Sequence, residues 1–167
     1  MKKISLLGST GSIGVNTLNV IERNPESFQI LAMSAGSNVD LFAEQIRKFK
    51  PKVAALFDAQ KIFTLKERVA DLDVEILSGE EGAIAVATIF EADIVVSGIV
   101  GKAGLLPTIE ALRAGKNLAL ANKETLVIAG ELVLKEAQKT NSKIIPIDSE
   151  HSAIFQALNG ERKERIK

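Results

Sequence analysis

The sequence of 167 residues contains no cysteine, no tryptophan and no tyrosine, and it has one histidine, His151. Without cysteine the chain has no thiolate nucleophile, no disulfide and no cysteine-ligated metal or iron–sulfur cluster. One imidazole cannot form a two-histidine metal site, and any Ser/His/Asp triad would have to use His151. Any redox chemistry therefore has to come from a bound cofactor.

An excess of charge of either sign is also missing, because 21 Lys and Arg residues balance 21 Asp and Glu residues. Proteins that bind nucleic acid usually carry a basic surplus, and seven phenylalanines are the only aromatic residues available for base stacking. No apolar run approaches the roughly 18 residues of a membrane span, and the apolar stretch at 4–7 is too short for a signal peptide. We expect a cytoplasmic globular protein that binds neither nucleic acid nor membrane.

Short apolar runs alternate with longer periodic segments, which predicts a Rossmann-like α/β fold: a doubly wound, mostly parallel sheet with helices on both faces. For the first half of the sheet we expect the strand order 3-2-1-4. The predicted strands cover 3–7, 29–35, 53–57, 74–77, 94–97, 118–121 and 144–147, and the predicted helices lie near 12–23, 39–49, 59–70, 80–90, 105–114 and 123–140.

A glycine-rich segment lies directly after the first predicted strand and opens the first helix: Gly8-Ser9-Thr10-Gly11-Ser12-Ile13-Gly14. Gly8 and Gly11 permit a tight turn and the close approach of a pyrophosphate to the helix N-terminus, and Gly14 lets the helix pack on the strand. The spacing G-x-x-G-x-x-G is a variant of the dinucleotide fingerprint, and its position between strand and helix predicts a dinucleotide-binding site.

The second strand is followed by Gly36-Ser37-Asn38, with no carboxylate before Asp40. Enzymes that prefer NAD usually have an acidic residue here, which hydrogen-bonds the adenosine ribose. A neutral site tolerates a 2′-phosphate better and so favours NADP, although no Arg or Lys is adjacent in the sequence. The alternative is that Ser37 or Asn38 caps the next helix, and both roles are compatible.

A local conflict follows the strand at 118–121. Asn122 is a plausible helix N-cap and Glu124 suits the positive end of the helix dipole, whereas a cation such as Lys123 is disfavoured in the first turn by ~0.3–1 kcal/mol. Such conflicts tend to mark functional residues. At the carboxyl edge of a parallel sheet, Lys123 is placed to hold a substrate oxyanion or phosphate; the alternative is a lysine that reaches into water.

Asp148 and Glu150 lie two residues apart after the last predicted strand. In an extended segment they share a face and converge on one cation, whereas in a helix they diverge by roughly 200°. Two carboxylates completed by water or substrate oxygens suit Mg²⁺ or Mn²⁺. The alternative is that Asp148 caps a helix that has Glu150 in its first turn, and the residues alone leave both possibilities open.

Three ordered motifs together resemble the 1-deoxy-D-xylulose 5-phosphate reductoisomerase family. They are the glycine-rich segment at 8–14, Leu-Ala-Leu-Ala-Asn-Lys-Glu at 118–124, and Ile-Asp-Ser-Glu-His-Ser-Ala-Ile-Phe-Gln at 147–156. The segment Ser-Gly-Ile-Val-Gly at 97–101 between them is also similar to the family. The resemblance covers residues 2 to about 160, and the order and spacing of the motifs make it specific.

The resemblance implies an NADPH-dependent enzyme of isoprenoid precursor synthesis that converts 1-deoxy-D-xylulose 5-phosphate, a phosphosugar, to 2-C-methyl-D-erythritol 4-phosphate with a divalent cation. Family members often have a basic residue where this chain has Ser37. By resemblance, the cofactor pyrophosphate would be held by Thr10, Gly11, Ser12 and Ile13, its ribose phosphate by Gly36, Ser37 and Asn38, and the rest of the cofactor by Asn122 and Glu124. The resemblance also implies that the substrate is bound by Lys123, Ser149 and Glu150, and that Mn²⁺ or Mg²⁺ is bound by Asp148 and Glu150. Lys123 and Glu150 would be the catalytic residues.

The family pattern continues well beyond this length, into a catalytic domain with another acidic metal ligand. We therefore expect residues 1–147 to form an NADPH-binding domain, and residues 148–167, with the charged segment 161–167, to begin a truncated catalytic domain. This chain would then bind NADPH without turnover, and a full-length member would form a homodimer. A stand-alone NADP-binding or sensing module is the alternative.

Overall fold

The computed structural model describes residues 1–161 and contains a seven-stranded sheet in which all six neighbouring pairs are parallel. The strand order is β4-β3-β2-β1-β5-β6-β7. The strands are β1 Lys2–Leu7, β2 Phe28–Ala35, β3 Val53–Leu56, β4 Glu75–Ser78, β5 Ile94–Ser97, β6 Asn117–Leu120 and β7 Ile144–Pro146. The sheet confirms the predicted Rossmann-like class and each of the seven predicted strands.

Seven α-helices connect or follow the strands: α1 Ser12–Arg23, α2 Val39–Phe49, α3 Ile62–Arg68, α4 Gly79–Thr88, α5 Leu105–Arg113, α6 Lys123–Thr140 and α7 Ser149–Ala157. Short 3-10 helices, Ala59–Lys61 and Gly101–Gly104, precede α3 and α5. The predicted helix at 123–140 is interrupted at Ala129, whose φ of −144° and ψ of 34° are not helical.

The expected strand order 3-2-1-4 is wrong, because β5 and not β4 lies beside β1. Strand β4 pairs with β3 at one edge, where Val53 is opposite Glu75, and β1 pairs with β5, where Ile4 is opposite Ile94. The chain adds strands toward one edge of the sheet as far as β4, and α4 then leads to β5 on the other side of β1. This crossing comes one strand later than expected. The apolar pattern of a strand indicates burial and does not specify which strand is its neighbour.

The helices cover both faces of the sheet, as predicted. On one face Leu18 of α1, Phe42 of α2 and Leu65 of α3 are buried against one core cluster. On the other face Val86 of α4, Leu112 of α5 and Val133 of α6 are buried in a second cluster. Alternate residues of each strand point to the two clusters, because successive side chains of a strand point to opposite faces.

The first face is covered unevenly. Beyond α1, the side chains of Ile94, Val96, Ala119 and Ile147 border an open apolar groove of about 410 Å³. Among residues 1–161, no helix combines the length and the apolar composition needed to cross a membrane. Most of the charged segment 161–167, which is predicted to belong to the start of a truncated catalytic domain, lies outside the described residues 1–161.

Candidate functional site

The glycine-rich segment forms a tight loop at the carboxyl edge of the sheet. Gly8 has a φ of +85°, and the backbone N–H groups of Gly8 and Ser9 donate to the carbonyl oxygen of Ser34 at 3.0 and 2.8 Å. A Cβ at Gly8 would lie 2.9 Å from the carbonyl oxygen of Gly98, and a Cβ at Gly14 would lie 2.2 Å from that of Gly8. Both positions therefore require glycine, as the fingerprint predicts.

Gly11 serves a different purpose, because the protein itself would tolerate a side chain there. It is the N-cap of α1, and a Cβ on it would meet no atom closer than 3.5 Å. No side chain caps α1, so the N–H groups of its first turn, which begins at Ser12 and Ile13, remain free for an external acceptor. These N–H groups form the positive end of the α1 helix dipole, which favours an anion such as a pyrophosphate.

A cleft of about 230 Å³ opens in front of this loop, above the carboxyl ends of β1, β2 and β5. This is the position where doubly wound sheets bind dinucleotides, since the chain connections diverge on either side of β1. The lining residues include Thr10, Gly11, Gly36, Phe57, Gly98 and Val100. The loop and the cleft together offer free N–H donors and the positive end of a helix dipole to an anionic part of a ligand.

At the end of β2 the structure shows the helix cap that one alternative predicts, while the ribose-phosphate role of Gly36, Ser37 and Asn38 stays a prediction. A Cβ at Gly36 would meet nothing within 4 Å, which leaves room for a ligand. Asn38 caps α2, with its Oδ1 atom accepting from the Leu41 N–H at 3.2 Å. The sequence analysis missed a cation here: the Nζ atom of Lys61 donates to the carbonyl oxygen of Ser37 at 3.2 Å.

Asn122 stands at the N-cap position of α6, as predicted, but its side chain does not cap the helix. Its Nδ2 atom instead donates to the carbonyl oxygen of Gly101 at 3.0 Å, and its buried Oδ1 atom has no hydrogen-bond partner among residues 1–161. The buried hydroxyl of Thr125, one turn into the helix, also has no partner in this part of the chain. Buried polar atoms are nearly always hydrogen-bonded, so these two atoms indicate where an absent polar group belongs.

Lys123 is exposed, Glu124 is half-buried, and the structure brings Lys123 to the residues that follow β7. Lys123, Asp148 and His151 line one pocket of about 370 Å³. The pKa of Glu150 is lowered by its own backbone N–H, by the hydroxyl of Ser149, which donates to Glu150 Oε2 at 2.9 Å, and by the charge of Lys123. Lys123 and Ser149, two of the predicted substrate residues, therefore both stabilise the carboxylate of the third, Glu150.

The segment at 148–150 adopts the capping alternative and not the extended one. Asp148 is the N-cap of α7: its Oδ2 atom accepts from the His151 N–H at 3.4 Å and contacts the His151 Nδ1 atom at 2.5 Å. Burial raises the pKa of Asp148, but the hydrogen bonds from His151 outweigh it and hold that pKa below its usual value. Glu150 lies in the first helical turn, so the shared face expected of an extended segment is not formed.

Asp148 takes this position because the first turn of α7 needs acceptors for its N–H groups. Within residues 1–161 no group of three or more His, Asp or Glu side chains is arranged to hold a metal ion. The metal-ligating role of Asp148 and Glu150 stays a prediction.

The parallel sheet, the uncapped glycine-rich loop and the cleft above β1 define a Rossmann-like domain of the dinucleotide-binding class. Within that class, residues 4–130 match the family model of 1-deoxy-D-xylulose 5-phosphate reductoisomerase. The chain belongs to this family.

Reductoisomerases from many bacteria are similar to the whole chain. That of Lachnospira eligens is 51% identical over 167 residues, and that of a Nostoc species is 52% identical over 169 residues. All of this chain aligns with each of them, but it spans 44% and 42% of their lengths. The chain thus corresponds to less than half of these relatives.

Solved structures give the same relationship. A DOX-P reductoisomerase in complex with magnesium has a TM-score of 0.91 and 42% identity, with 96% of this chain and 42% of that one covered. The Zymomonas mobilis enzyme in complex with NADPH has a TM-score of 0.89 and 40% identity, with 93% and 41% covered. A homoserine dehydrogenase from Thiobacillus denitrificans, at a TM-score of 0.57 and 22% identity, shares the fold alone.

Proposed function

We propose that this chain is the NADPH-binding part of an enzyme that converts 1-deoxy-D-xylulose 5-phosphate to 2-C-methyl-D-erythritol 4-phosphate. The observation that carries the proposal is the first turn of α1, which has no capping side chain and opens behind Gly11 onto the cleft above β1. Membership of the reductoisomerase family supports it. Related solved structures hold NADPH, magnesium and fosmidomycin, and the first two of these support NADPH and a divalent cation as cofactors here.

The cofactor would lie along the carboxyl edge of the sheet. We assign the pyrophosphate to the loop formed by Thr10, Gly11, Ser12 and Ile13, and the adenosine ribose to Gly36, Ser37 and Asn38. Asn122 has a buried Oδ1 atom free to accept a hydrogen bond, and Glu124 is half-buried beside it, so both suit the distal half of the cofactor. The bound nicotinamide supplies the hydride that the protein's own side chains cannot.

The substrate would lie against Lys123, Ser149 and Glu150 at the start of α6 and α7. Lys123 offers an exposed ammonium group to the phosphate or an oxyanion of the phosphosugar. The lowered pKa of Glu150 keeps its carboxylate ionised, so that Glu150 accepts hydrogen bonds from substrate hydroxyls. Ser149 holds that carboxylate in place through its hydroxyl. These contacts explain the placement of Lys123 in a helical turn that disfavours a cation.

A divalent cation fits the start of α7 only in part. Asp148 and Glu150 provide the oxygen atoms that Mn²⁺ or Mg²⁺ prefers, but Asp148 is engaged by His151 and two side chains do not complete a coordination sphere. We propose that they contribute two ligands, which requires Asp148 to release His151.

The proposal extends to the whole enzyme. Residues 1–147 would form the NADPH-binding domain and residues 148–167 the start of the catalytic part, in a homodimeric cytoplasmic enzyme whose partners are small molecules. Because the described pocket lacks a complete metal site, the isolated chain should bind NADPH without turnover. Reductoisomerase activity of this chain alone would contradict that expectation.

Calorimetric titration of the chain with NADPH tests the cofactor site. A Gly11→Val variant should fold, because a Cβ at Gly11 meets no atom closer than 3.5 Å and the φ and ψ of −78° and 171° suit valine. The isopropyl group would block the pyrophosphate, so we expect NADPH affinity to fall at least tenfold, about 1.4 kcal/mol. Unchanged affinity in a folded variant would rule out this loop as the phosphate site.

Titration of the NADPH-loaded chain with Mn²⁺ separates an enzyme from a stand-alone binding module. Asp148→Asn keeps the helix cap, because asparagine caps as well as aspartate, and removes the charge that a cation needs. Loss of Mn²⁺ binding supports the enzyme. The control Asp73→Asn removes an exposed carboxylate from the loop before β4, at the opposite edge of the sheet, and should have no effect. Indifference to both substitutions supports the module.

A further inference from the structure

We propose that Lys61 recognises the 2′-phosphate of NADPH and so supplies the cation that is missing beside Ser37. This inference rests on the proposed function and adds a specificity-determining residue to it. The observation behind it is the hydrogen bond from Lys61 Nζ to the carbonyl oxygen of Ser37, at 3.2 Å between residues 24 positions apart.

The backbone brings Lys61 to this place. The loop after β3 runs beside the loop after β2, because two backbone hydrogen bonds join them. The N–H of Phe57 donates to the carbonyl oxygen of Ala35 at 2.9 Å, and the N–H of Asp58 donates to the carbonyl oxygen of Gly36 at 3.0 Å. Asp58 then caps the short 3-10 helix Ala59–Lys61 by accepting from the Gln60 N–H at 3.1 Å. The turn ends with the lysine at the ribose end of the cofactor cleft.

The residues around Lys61 form a polar cleft of about 570 Å³ with the N-terminus of α2. Its polar lining residues are Ser37, Asn38, Asp40, Lys61, Thr64 and Arg68. A phosphate group on the adenosine ribose would enter between the Ser37 hydroxyl and the lysine. This cleft adjoins the one that holds the pyrophosphate loop, since Gly36 lines one and Ser37 the other.

Carboxylates in this cleft do not cancel the attraction. Asp40, the first acidic residue after β2, is paired with Arg68 of α3 at 2.7 Å, so its charge is neutralised by a neighbour that also lines the cleft. Asp58 Oδ2 lies 3.9 Å from Lys61 Nζ, within the range of a weak ion pair but farther than a direct hydrogen bond, and the hydrogen bond that the lysine donates goes to the neutral carbonyl of Ser37. The Lys61 side chain is 51% exposed and therefore accessible to a phosphate.

A lysine in this position discriminates between the two nicotinamide cofactors. A phosphate dianion accepts charge-assisted hydrogen bonds from an ammonium group, whereas the 2′-hydroxyl of NADH gains little from it. Lysine also suits the role because its flexible stem lets the ammonium turn from the Ser37 carbonyl to an arriving anion. Lys61 thus supplies from the loop after β3 what a basic residue at position 37 supplies directly.

The test measures dissociation constants for NADPH and NADH by calorimetry on four proteins: the unsubstituted chain, Lys61→Gln, Lys61→Arg and Lys66→Gln. We expect Lys61→Gln to weaken NADPH about tenfold and to leave NADH unchanged, while Lys61→Arg keeps the preference. Lys66→Gln is the matched control, because Lys66 is exposed on α3 but does not line the cleft. Circular dichroism confirms that each variant is folded.

A rescue completes the design: Ser37→Lys added to Lys61→Gln should restore the NADPH preference by placing a cation on the other side of the same cleft. Equal weakening of NADPH and NADH by Lys61→Gln, or no weakening of either, overturns the inference while leaving the proposed function intact. Failure of the unsubstituted chain to bind either nucleotide contradicts the proposed function and this inference with it.

Discussion

Single residues of the phosphate loop serve separate purposes that the spacing alone does not distinguish. Gly8 and Gly14 are required by neighbouring backbone atoms, whereas a Cβ at Gly11 would meet no atom closer than 3.5 Å, so that only the proposed ligand would require glycine there. Substitutions at Gly8 or Gly14 should therefore affect folding, and substitutions at Gly11 should affect binding.

Gly14→Ala should destabilise the fold, because its Cβ would lie 2.2 Å from the Gly8 carbonyl oxygen and 2.5 Å from the Ser9 Cα atom, both of them backbone. We expect a loss of about 1–3 kcal/mol in the free energy of unfolding. Urea denaturation followed by circular dichroism measures it, since the chain has no tryptophan or tyrosine for fluorescence. Gly130→Ala is the control: a Cβ there meets nothing within 4 Å, so this variant should gain about 0.4–1 kcal/mol. Equal stability of the two variants would contradict the packing argument.

The sequence predicted where the candidate residues lie in the fold better than it predicted the atoms that they contact. Asn122 was expected to cap α6, yet its amide is bonded to Gly101, because the turn Gly101–Gly104 packs against the asparagine. Lys61 was missed because its contact with Ser37 depends on the pairing of β2 with β3, which no local pattern contains. A sequence motif shows which chemical groups are close together along the chain. It does not show the contacts that depend on the pairing of strands in the sheet.

At the scale of elements, β1 and β5 are joined at the beginning of their pairing by a carboxylate as well as by the ladder. Asp93 Oδ2 accepts from the Lys3 N–H at 2.7 Å, and the Asp93 N–H donates to the Lys3 carbonyl at 2.9 Å. The Lys3 N–H is the largest cause that lowers the pKa of Asp93 below its ordinary value of 3.8. The ionised carboxylate therefore stabilises the junction of the two central strands.

Because the folded pKa of Asp93 is lowered, the unfolded chain binds the proton more tightly, and stability from this group is present above pH 3.8 and lost as the pH falls through the folded pKa. Asp93→Asn keeps an acceptor but removes the charge. At pH 7 we expect a lower urea midpoint for the variant than for the unsubstituted chain. The difference between the two midpoints should narrow as the pH falls below 3.8. Asp73→Asn, on an exposed loop, serves as the charge control. A difference that stays constant with pH would disprove the linkage.

Elements themselves were predictable within a few residues, because their bounds follow local signals. Helix α5 ends where Gly115 adopts a φ of +72°, and the Lys116 N–H closes the turn onto the Ala111 carbonyl at 3.0 Å. The order of the strands was not predictable, since β4 and β5 are both short strands of four residues, yet β4 lies at one edge of the sheet and β5 lies beside β1.

The two halves of the candidate site are not held equally firmly by the rest of the fold. The phosphate loop is bonded to β2 and leads from β1, which has a strand on each side, whereas no residue of α7 is buried. The cofactor half of the site is therefore the rigid one, and the half with Asp148, Ser149 and Glu150 is weakly held.

Hydrogen exchange should reveal this difference. Backbone N–H groups of β1 should exchange only through global unfolding, whereas those of α7 should exchange through local opening with a much smaller free energy. Mass spectrometry of peptides covering 2–7 and 149–157 measures both, with 123–140 as an intermediate reference because α6 buries Thr125, Val133, Glu136 and Ala137. Equal protection of the two peptides would show that α7 is held more firmly than its exposure indicates.

The place of β1 between β2 and β5 has a consequence for the order in which the chain assembles. Strand β1 can pair with β2 after about 35 residues have been made, but its second neighbour ends at Ser97. At about 5–20 residues per second, one edge of the strand that leads to the phosphate loop stays unpaired on the ribosome for several seconds. During that interval the Gly98 carbonyl that confines Gly8 does not yet exist, so the loop acquires its shape only after β5 is in place.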